Sequence, residues 1–224
     1  MAERHPGASG EFDPSGVEAA AAELGLVLEP DQVSRLLRFM GMLQRWNSTY
    51  NLTAVRDPAQ MLTQHLFDCL AVVLPLRRQL AHCGGKRLLD VGSGGGLPGI
   101  VLAIVEPGLV VTCVDSVGKK AAFITQVASE LGISHLTSAH ARVETLKTGP
   151  FDVIVARAYA ALPDFVRTSR PLLGISGLWM AMKGKVPKDE MARLPADVEV
   201  FHVEHLAVPA LAADRCLVWM RPLP

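Results

Sequence analysis

At 224 residues the chain is long enough for one substantial domain with an appendage, and too short for a second enzyme domain. Half of the residues are hydrophobic and a fifth are charged, a globular composition. The 22 basic and 22 acidic residues cancel, which withholds the bulk charge of a nucleic-acid binder, so any such contact must come from a local patch.

Residues 1–16, rich in Gly, Pro and Ser, read as a mobile tail. From Asp31 the apolar residues Val33, Leu36, Leu37, Met40, Leu43 and Trp46 recur at helical spacing, with Arg35, Arg38 and Arg45 outside. That pattern predicts a long amphipathic helix breaking at Asn47–Asn51. Asp57-Pro58 then supplies a cap and first-turn proline for a second helix, with Met61, Leu62, Leu66, Cys69, Leu70 and Val73 inward, closed by Pro75 and Gly84-Gly85. Residues 17–85 thus form a helical layer ahead of a core over 86–224. His65 and Asp68, at i and i+3 on the second helix, invite a catalytic-dyad reading, but a local hydrogen bond locking this layer to the sheet is favoured.

Beyond that layer strands are predicted at 87–92, 110–115, 136–141, 151–156, 177–183, 198–206 and 215–221, with helices near 98–106, 118–131, 162–173 and 187–193. Alternation of this kind implies a parallel sheet with helices on both faces. The connector between the last two strands, containing Pro209, is too short for a crossover helix, so this pair should be antiparallel.

The most informative stretch is Asp90-Val91-Gly92-Ser93-Gly94-Gly95-Gly96-Leu97-Pro98-Gly99, where a strand runs through an acid into a glycine-dense turn and then an apolar helix. Glycines let a backbone approach a ligand closely, and four within five positions cost chain entropy that a bound cofactor offsets. Gly94–Gly99 fits the dinucleotide pattern G-x-G-x-x-G, which aims a helix N-terminus at a pyrophosphate. Asp90 argues instead for S-adenosylmethionine, whose sulfonium and ammonium welcome an anion that would repel a pyrophosphate. Asp115, about 20 residues further on at the end of the next strand, is the candidate for a ribose diol, with a helix N-cap as its competitor.

After the fourth strand the chain reads Ala156-Arg157-Ala158-Tyr159, with neither the Asn/Asp-Pro-Pro-aromatic motif of an exocyclic-amine methylase nor the Pro-Cys of a cytosine C5 enzyme. Arg157 brings a permanent cation with a planar fork to this position. Lys119-Lys120 and Arg142 form a candidate RNA-contact patch, with a solvated surface equally open. His202 and His205 fall on opposite faces of a strand, so no metal site is indicated. Cys69, Cys83, Cys113 and Cys216 show no C-x-x-C pair and read as ordinary thiols. Apolar runs interrupted short of a membrane span, and no leader in Met1–Ser9, predict a cytoplasmic protein.

A seven-strand, mostly parallel sheet ending in an antiparallel hairpin, with the glycine turn after its first strand, resembles the Rossmann-like class I fold of S-adenosylmethionine-dependent methyltransferases. Several separated segments then converge on one family. Trp46-Asn47, Tyr50-Asn51-Leu52-Thr53, Arg56-Asp57-Pro58, His65-Leu66-Phe67-Asp68, Asp90–Gly99, Val114-Asp115-Ser116, Lys119-Lys120, Arg142-Val143-Glu144, Ala156-Arg157-Ala158 and Lys183-Gly184, in this order, resemble the RsmG or GidB family. Its members methylate N7 of a guanosine in 16S ribosomal RNA. The resemblance covers residue 30 to the end, with Ser93 and Gly95 standing where the family often has Thr and Pro or Ala.

The resemblance implies that Asp90, Gly92, Gly94 and Leu97 line the methyl-donor site, that Val143 and Glu144 flank its adenine, and that Arg157 touches donor or target. Arg142, Arg157 and Lys183 would hold the guanine carbonyl and flanking phosphates, without a general base. It implies 16S RNA, alone or in the small subunit, as partner of a monomer. An NAD-dependent oxidoreductase and a donor-binding regulator without catalysis remain as alternatives.

Overall fold

The computed structural model describes residues 12–223. Eleven residues of the expected tail lie outside this range, and Pro14–Gly16 open a helix instead, α1 (Pro14–Glu23), because the Asp13 carboxylate accepts the Ser15 N–H and Pro14 suits a first turn. Next comes α2 (Pro30–Tyr50), which runs through the predicted break and stops at Asn51 in the left-handed region (φ 50°). Its buried face carries Val33, Leu36, Met40 and Leu43, as the spacing predicts, together with Phe39 and Met42, while Leu37 and Trp46 are only half-buried.

The second helical stretch is a succession of short pieces: α3 (Pro58–Met61), a π-helical turn Leu62–Phe67, α4 (Asp68–Leu70) and α5 (Val73–Cys83). Asp57 caps it by accepting the Gln60 N–H at 2.9 Å. Pro75 does not close this stretch, because it falls in the first turn of α5, where no N–H is needed. Over Pro58–His82 the chain is long and apolar enough to cross a membrane by length and composition, contrary to the expectation from its interruptions; 67% of its most apolar window is buried inside the protein, as in a core helix.

The core alternates β1 (Arg87–Val91), α6 (Gly99–Val105), β2 (Val110–Asp115), α7 (Gly118–Glu130), β3 (Leu136–His140), β4 (Phe151–Arg157), α8 (Leu162–Ser169), β5 (Leu173–Lys183), α9 (Lys188–Met191), β6 (Val198–His205) and β7 (Cys216–Pro222). They form one seven-stranded sheet in the order β3-β2-β1-β4-β5-β7-β6. β1 to β5 are parallel, and β7 is antiparallel to both β5 and β6. The mostly parallel sheet with an antiparallel end is the predicted fold. β5 starts earlier than expected, because α8 ends at Ser169 and Leu173 already pairs with Phe151 across an irregular register.

One side of the sheet packs on the helical layer and α6, joining Leu36, Phe39, Leu66, Leu70, Ile100 and Leu102 to the inward faces of the strands. Strand order reverses between β1 and β4, so the loops leaving their carboxyl ends diverge and open a crevice.

Candidate active site

The glycine turn after β1 is stitched onto β2. The N–H groups of Gly92 and Ser93 both reach the Val114 carbonyl, at 2.9 and 3.2 Å, and Gly94 donates to Asp115 Oδ2 at 3.0 Å. Asp115 Oδ1 accepts the Val117 N–H at 2.9 Å, and Lys120 Nζ lies 3.7 Å from Oδ2. This carboxylate therefore fixes the turn and the start of α7 together, while each oxygen keeps a second lone pair for a ligand.

Two clefts open on the turn. The first, of about 340 Å³, is lined by Asp115, Lys120, Arg142, Val143, Glu144 and Tyr159. Gly92 lines it with φ 66°, and a Cβ there would stand 2.4 Å from Tyr159 Cδ2, so glycine suits both this backbone conformation and the packing of the Tyr159 ring on the turn. The second cleft, of about 600 Å³, lies between the helical layer and the sheet and is lined among others by Thr53, His65, Asp68, Leu97, Arg157 and Lys183. Both clefts share Gly92, Lys120 and Ala158. Ala158 has φ 52°, a conformation that costs a Cβ-bearing residue on the order of 1 kcal/mol, so the backbone is strained where the clefts meet.

Asp90 does something other than expected. Its side chain lies fully buried beneath the turn and lines neither cleft; Oδ2 accepts the Gly99 N–H at 2.9 Å, and Oδ1 has no partner among the described residues. Burial pushes its carboxyl up to about 7, against the opposing pull of the Gly99 bond and of Arg157. The first N–H of α6 is thus already taken by the protein's own carboxyl group and is not free to bind the pyrophosphate of a dinucleotide.

In the second cleft Arg157 Nη1 donates to the Gln64 carbonyl at 3.0 Å and to Asp68 Oδ2 at 3.2 Å. Arg215 Nε donates to the other oxygen, Oδ1, at 2.9 Å. His65 and Asp68 make no bond to each other. His65 Nε2 pairs with Thr53 Oγ1 at 2.7 Å, and its Nδ1 is buried without a partner. Burial, then the nearby Arg157 charge, hold its pKa down at about 4, so the ring is neutral near pH 7. The lock between helical layer and sheet is real, but it runs through Asp68 and two arginines. Lys183 is also occupied, with Nζ 2.8 Å from Glu190 Oε2 and 3.1 Å from the Ala160 carbonyl.

Of the residues expected from the sequence, Gly92, Gly94, Leu97, Asp115, Lys120, Arg142, Val143, Glu144, Arg157 and Lys183 line one cleft or both. Asp90 and the exposed Lys119 line neither. Arg215 is invisible in the sequence, because a lone arginine before a strand carries no local signal; Thr53 sits within a motif that gives no sign of its bond to His65. Among the described residues no three His, Cys, Asp or Glu side chains gather as a metal site.

Comparison with known proteins gives the family and the fold. The family model described as "GidB: rRNA small subunit methyltransferase G" matches residues 32–218. A protein of Acidovorax sp. (strain JS42) named ribosomal RNA small subunit methyltransferase G is 60% identical over 210 residues, spanning 91% of this chain and 92% of its own. One of the same name from Verminephrobacter eiseniae is 56% identical over 223 residues, spanning 92% and 93%. Among solved structures, TrmN from Thermus thermophilus superposes with a TM-score of 0.51 at 20% identity, over 69% of this chain and 48% of that one. A ribosomal protein L11 methylase from Lactobacillus delbrueckii gives 0.52 at 18%, over 69% and 78%. Those two likenesses are of fold alone. From the family match and the extent of identity, the chain is a member of the ribosomal RNA small subunit methyltransferase G family.

Proposed function

We propose that this methyltransferase moves a methyl group from S-adenosylmethionine to N7 of a guanosine in 16S ribosomal RNA. The observation that carries the reading is the meeting of two clefts of different chemistry at Gly92, Lys120 and Ala158. The first fits the donor's nucleoside half. Asp115 offers free lone pairs to a ribose diol, Val143 and Glu144 flank space for an adenine, and Gly92 brings bare backbone to the cleft wall beside the Tyr159 ring. Gly94 and Leu97 carry the site toward the second cleft. When bound, the donor supplies an electrophilic methyl group.

The second cleft suits a target that needs no deprotonation. Its histidine is held neutral with a pKa of about 4, and its carboxylate, Asp68, is bound to two guanidinium groups, so neither is poised as a general base at neutral pH. Guanine N7 has a lone pair and no proton. Positioning then suffices, and alignment of two bound reactants can supply about 7–11 kcal/mol of a barrier. Arg157 orients the target with the N–H groups it does not give to Gln64 and Asp68. Arg142 at the cleft rim and Lys119 on the open surface face the RNA backbone, whereas Lys183 acts as a strut for the loop after β4. In this division of labour residues 17–85 wall the target cleft, residues 86–224 hold the donor, and the partner is 16S RNA within the small subunit.

The test is transfer from labelled donor onto small subunits or 16S RNA from cells lacking this protein, followed by nucleoside analysis. Label in 7-methylguanosine is expected. No transfer, or label on an exocyclic amine, a carbon or a ribose hydroxyl, would overturn the reading.

A further inference from the structure

Four cations line the second cleft, Lys120, Arg157, Lys183 and Arg215, against one carboxylate, Asp68. This is a local excess in a chain of zero formal charge. Two of the four face other duties: Lys183 is bound to Glu190, and Lys120 leans toward Asp115 on the donor side. The remaining pair shares Asp68, which is 3% exposed and bonds one arginine through each oxygen.

The two guanidinium groups differ in depth and in what they have left to donate. Arg157 is the deeper, its side chain 19% exposed against 26% for Arg215. Arg215 gives Nε to Asp68 and Nη1 to the Asp214 carbonyl at 2.8 Å, and its Nη2 has no partner among the described residues. It immediately precedes β7, whose first residue Cys216 pairs with Lys183, so its head stands where the crossing of β5 and β7 meets the helical layer.

Resting on the function proposed above, the geometry points to Arg215 as a further substrate-binding residue, which takes a phosphate oxygen of the target nucleotide at the mouth of the second cleft. Asp68 is the positioning residue that orients the planes of both arginines. A phosphate fits this place better than a base. One carboxylate leaves two guanidinium groups with a net positive charge, which a phosphate neutralises and an uncharged base does not. The inner arginine then lies beside the base and the outer one beside the backbone, the order in which a nucleotide entering base-first would meet them.

The experiment compares wild type with Arg215→Gln and Arg215→Lys, each checked for folding by its melting curve. It measures donor affinity, KM and kcat for methyl transfer to small subunits, and equilibrium binding to 16S RNA across a salt series. For Arg215→Gln the RNA KM should rise about ten- to a hundredfold. The log–log salt slope should become shallower by about 0.7–0.9, with donor affinity and kcat at saturating RNA unchanged. Arg215→Lys should keep the slope, since its charge remains, and show a smaller rise in KM, since a lysine cannot bond Asp68 and a phosphate with one planar fork. A folded Arg215→Gln with wild-type KM and slope overturns the proposal; should that variant not fold, an unchanged KM in Arg215→Lys does so. If wild type transfers no methyl group to ribosomal RNA, the functional reading fails on its own, and the salt slopes still decide whether Arg215 meets a phosphate.

Discussion

Asp90 holds the Gly99 N–H from beneath the glycine turn while its own second oxygen stays buried and unbonded. The carboxyl is thus a clamp whose charged form is disfavoured, with a folded pKa of about 7 against 3.8 for a free aspartate. A raised pKa means the folded state binds the proton more tightly. The stabilisation is then complete below about pH 3.8 and is lost as pH rises through about 7. Compared with Asp90→Asn, which cannot titrate, the wild type should lose stability across that window at up to about 1.4 kcal/mol per pH unit. Denaturant unfolding of both proteins at pH 5, 6, 7 and 8 measures this difference, and a flat difference would mean that Asp90 is charged in the fold.

Asp115 fixes the turn with the same two oxygens that the proposed ribose contact would use. In Asp115→Asn one of them becomes an NH₂ group facing either the Gly94 or the Val117 N–H, so a turn bond breaks as well as a ribose bond. Donor affinity should fall by about 1.5–3 kcal/mol, roughly ten- to a hundredfold. Calorimetric titration with the donor reads this directly. An unchanged affinity with a lowered melting temperature would leave Asp115 a helix cap only.

Lys119 and Lys120 are neighbours in sequence with different surroundings. Lys119 is exposed and lines neither cleft, whereas Lys120 lies 3.7 Å from Asp115 and lines both. Neutralising Lys119 should lower the log–log salt slope of RNA binding by about 0.7–0.9 without touching donor affinity. Neutralising Lys120 should weaken donor binding too. Equal effects of the two substitutions on donor affinity would contradict this division.

His65→Gln should keep most of the single-turnover methyl-transfer rate, because a glutamine can still bond Thr53 and no proton has to be removed from the target. A drop of about 10²–10⁴-fold with donor and RNA affinities intact would restore His65 as an acid–base catalyst. The same substitution should remove a source of acid lability. The His65 pKa is lowered in the fold from 6.5 to about 4, so its stabilisation is present above 6.5 and lost as pH falls toward 4.

The first cleft was legible in the sequence because it is local. Asp90 to Gly99, Asp115 and Arg142 to Glu144 follow strand ends at spacings that the alternation of strands and helices makes readable. What stayed hidden was direction. Nothing in the string Asp90-Val91-Gly92 says that the carboxylate turns under the helix, because a strand residue can face either side of the sheet and the choice depends on packing against Gly99 and Cys113. The second cleft depends on meetings across 89 and 147 positions, Asp68 with Arg157 and with Arg215, which no spacing rule reaches. Helix ends erred for a related reason: α2 continues through Asn47 because that buried side chain bonds the Thr53 N–H and the Val55 carbonyl, a tertiary demand stronger than local propensity.

The carboxylate shared by two arginines also sets when the cleft exists. Its three members come from the helical layer, the middle of the sheet and the final hairpin, so the chain must close loops of 89 and 147 positions before the cluster forms. Until then Asp68 has no buried surroundings and the arginines no fixed planes. The second cleft is therefore a property of the finished molecule, since none of its three segments carries the cluster alone.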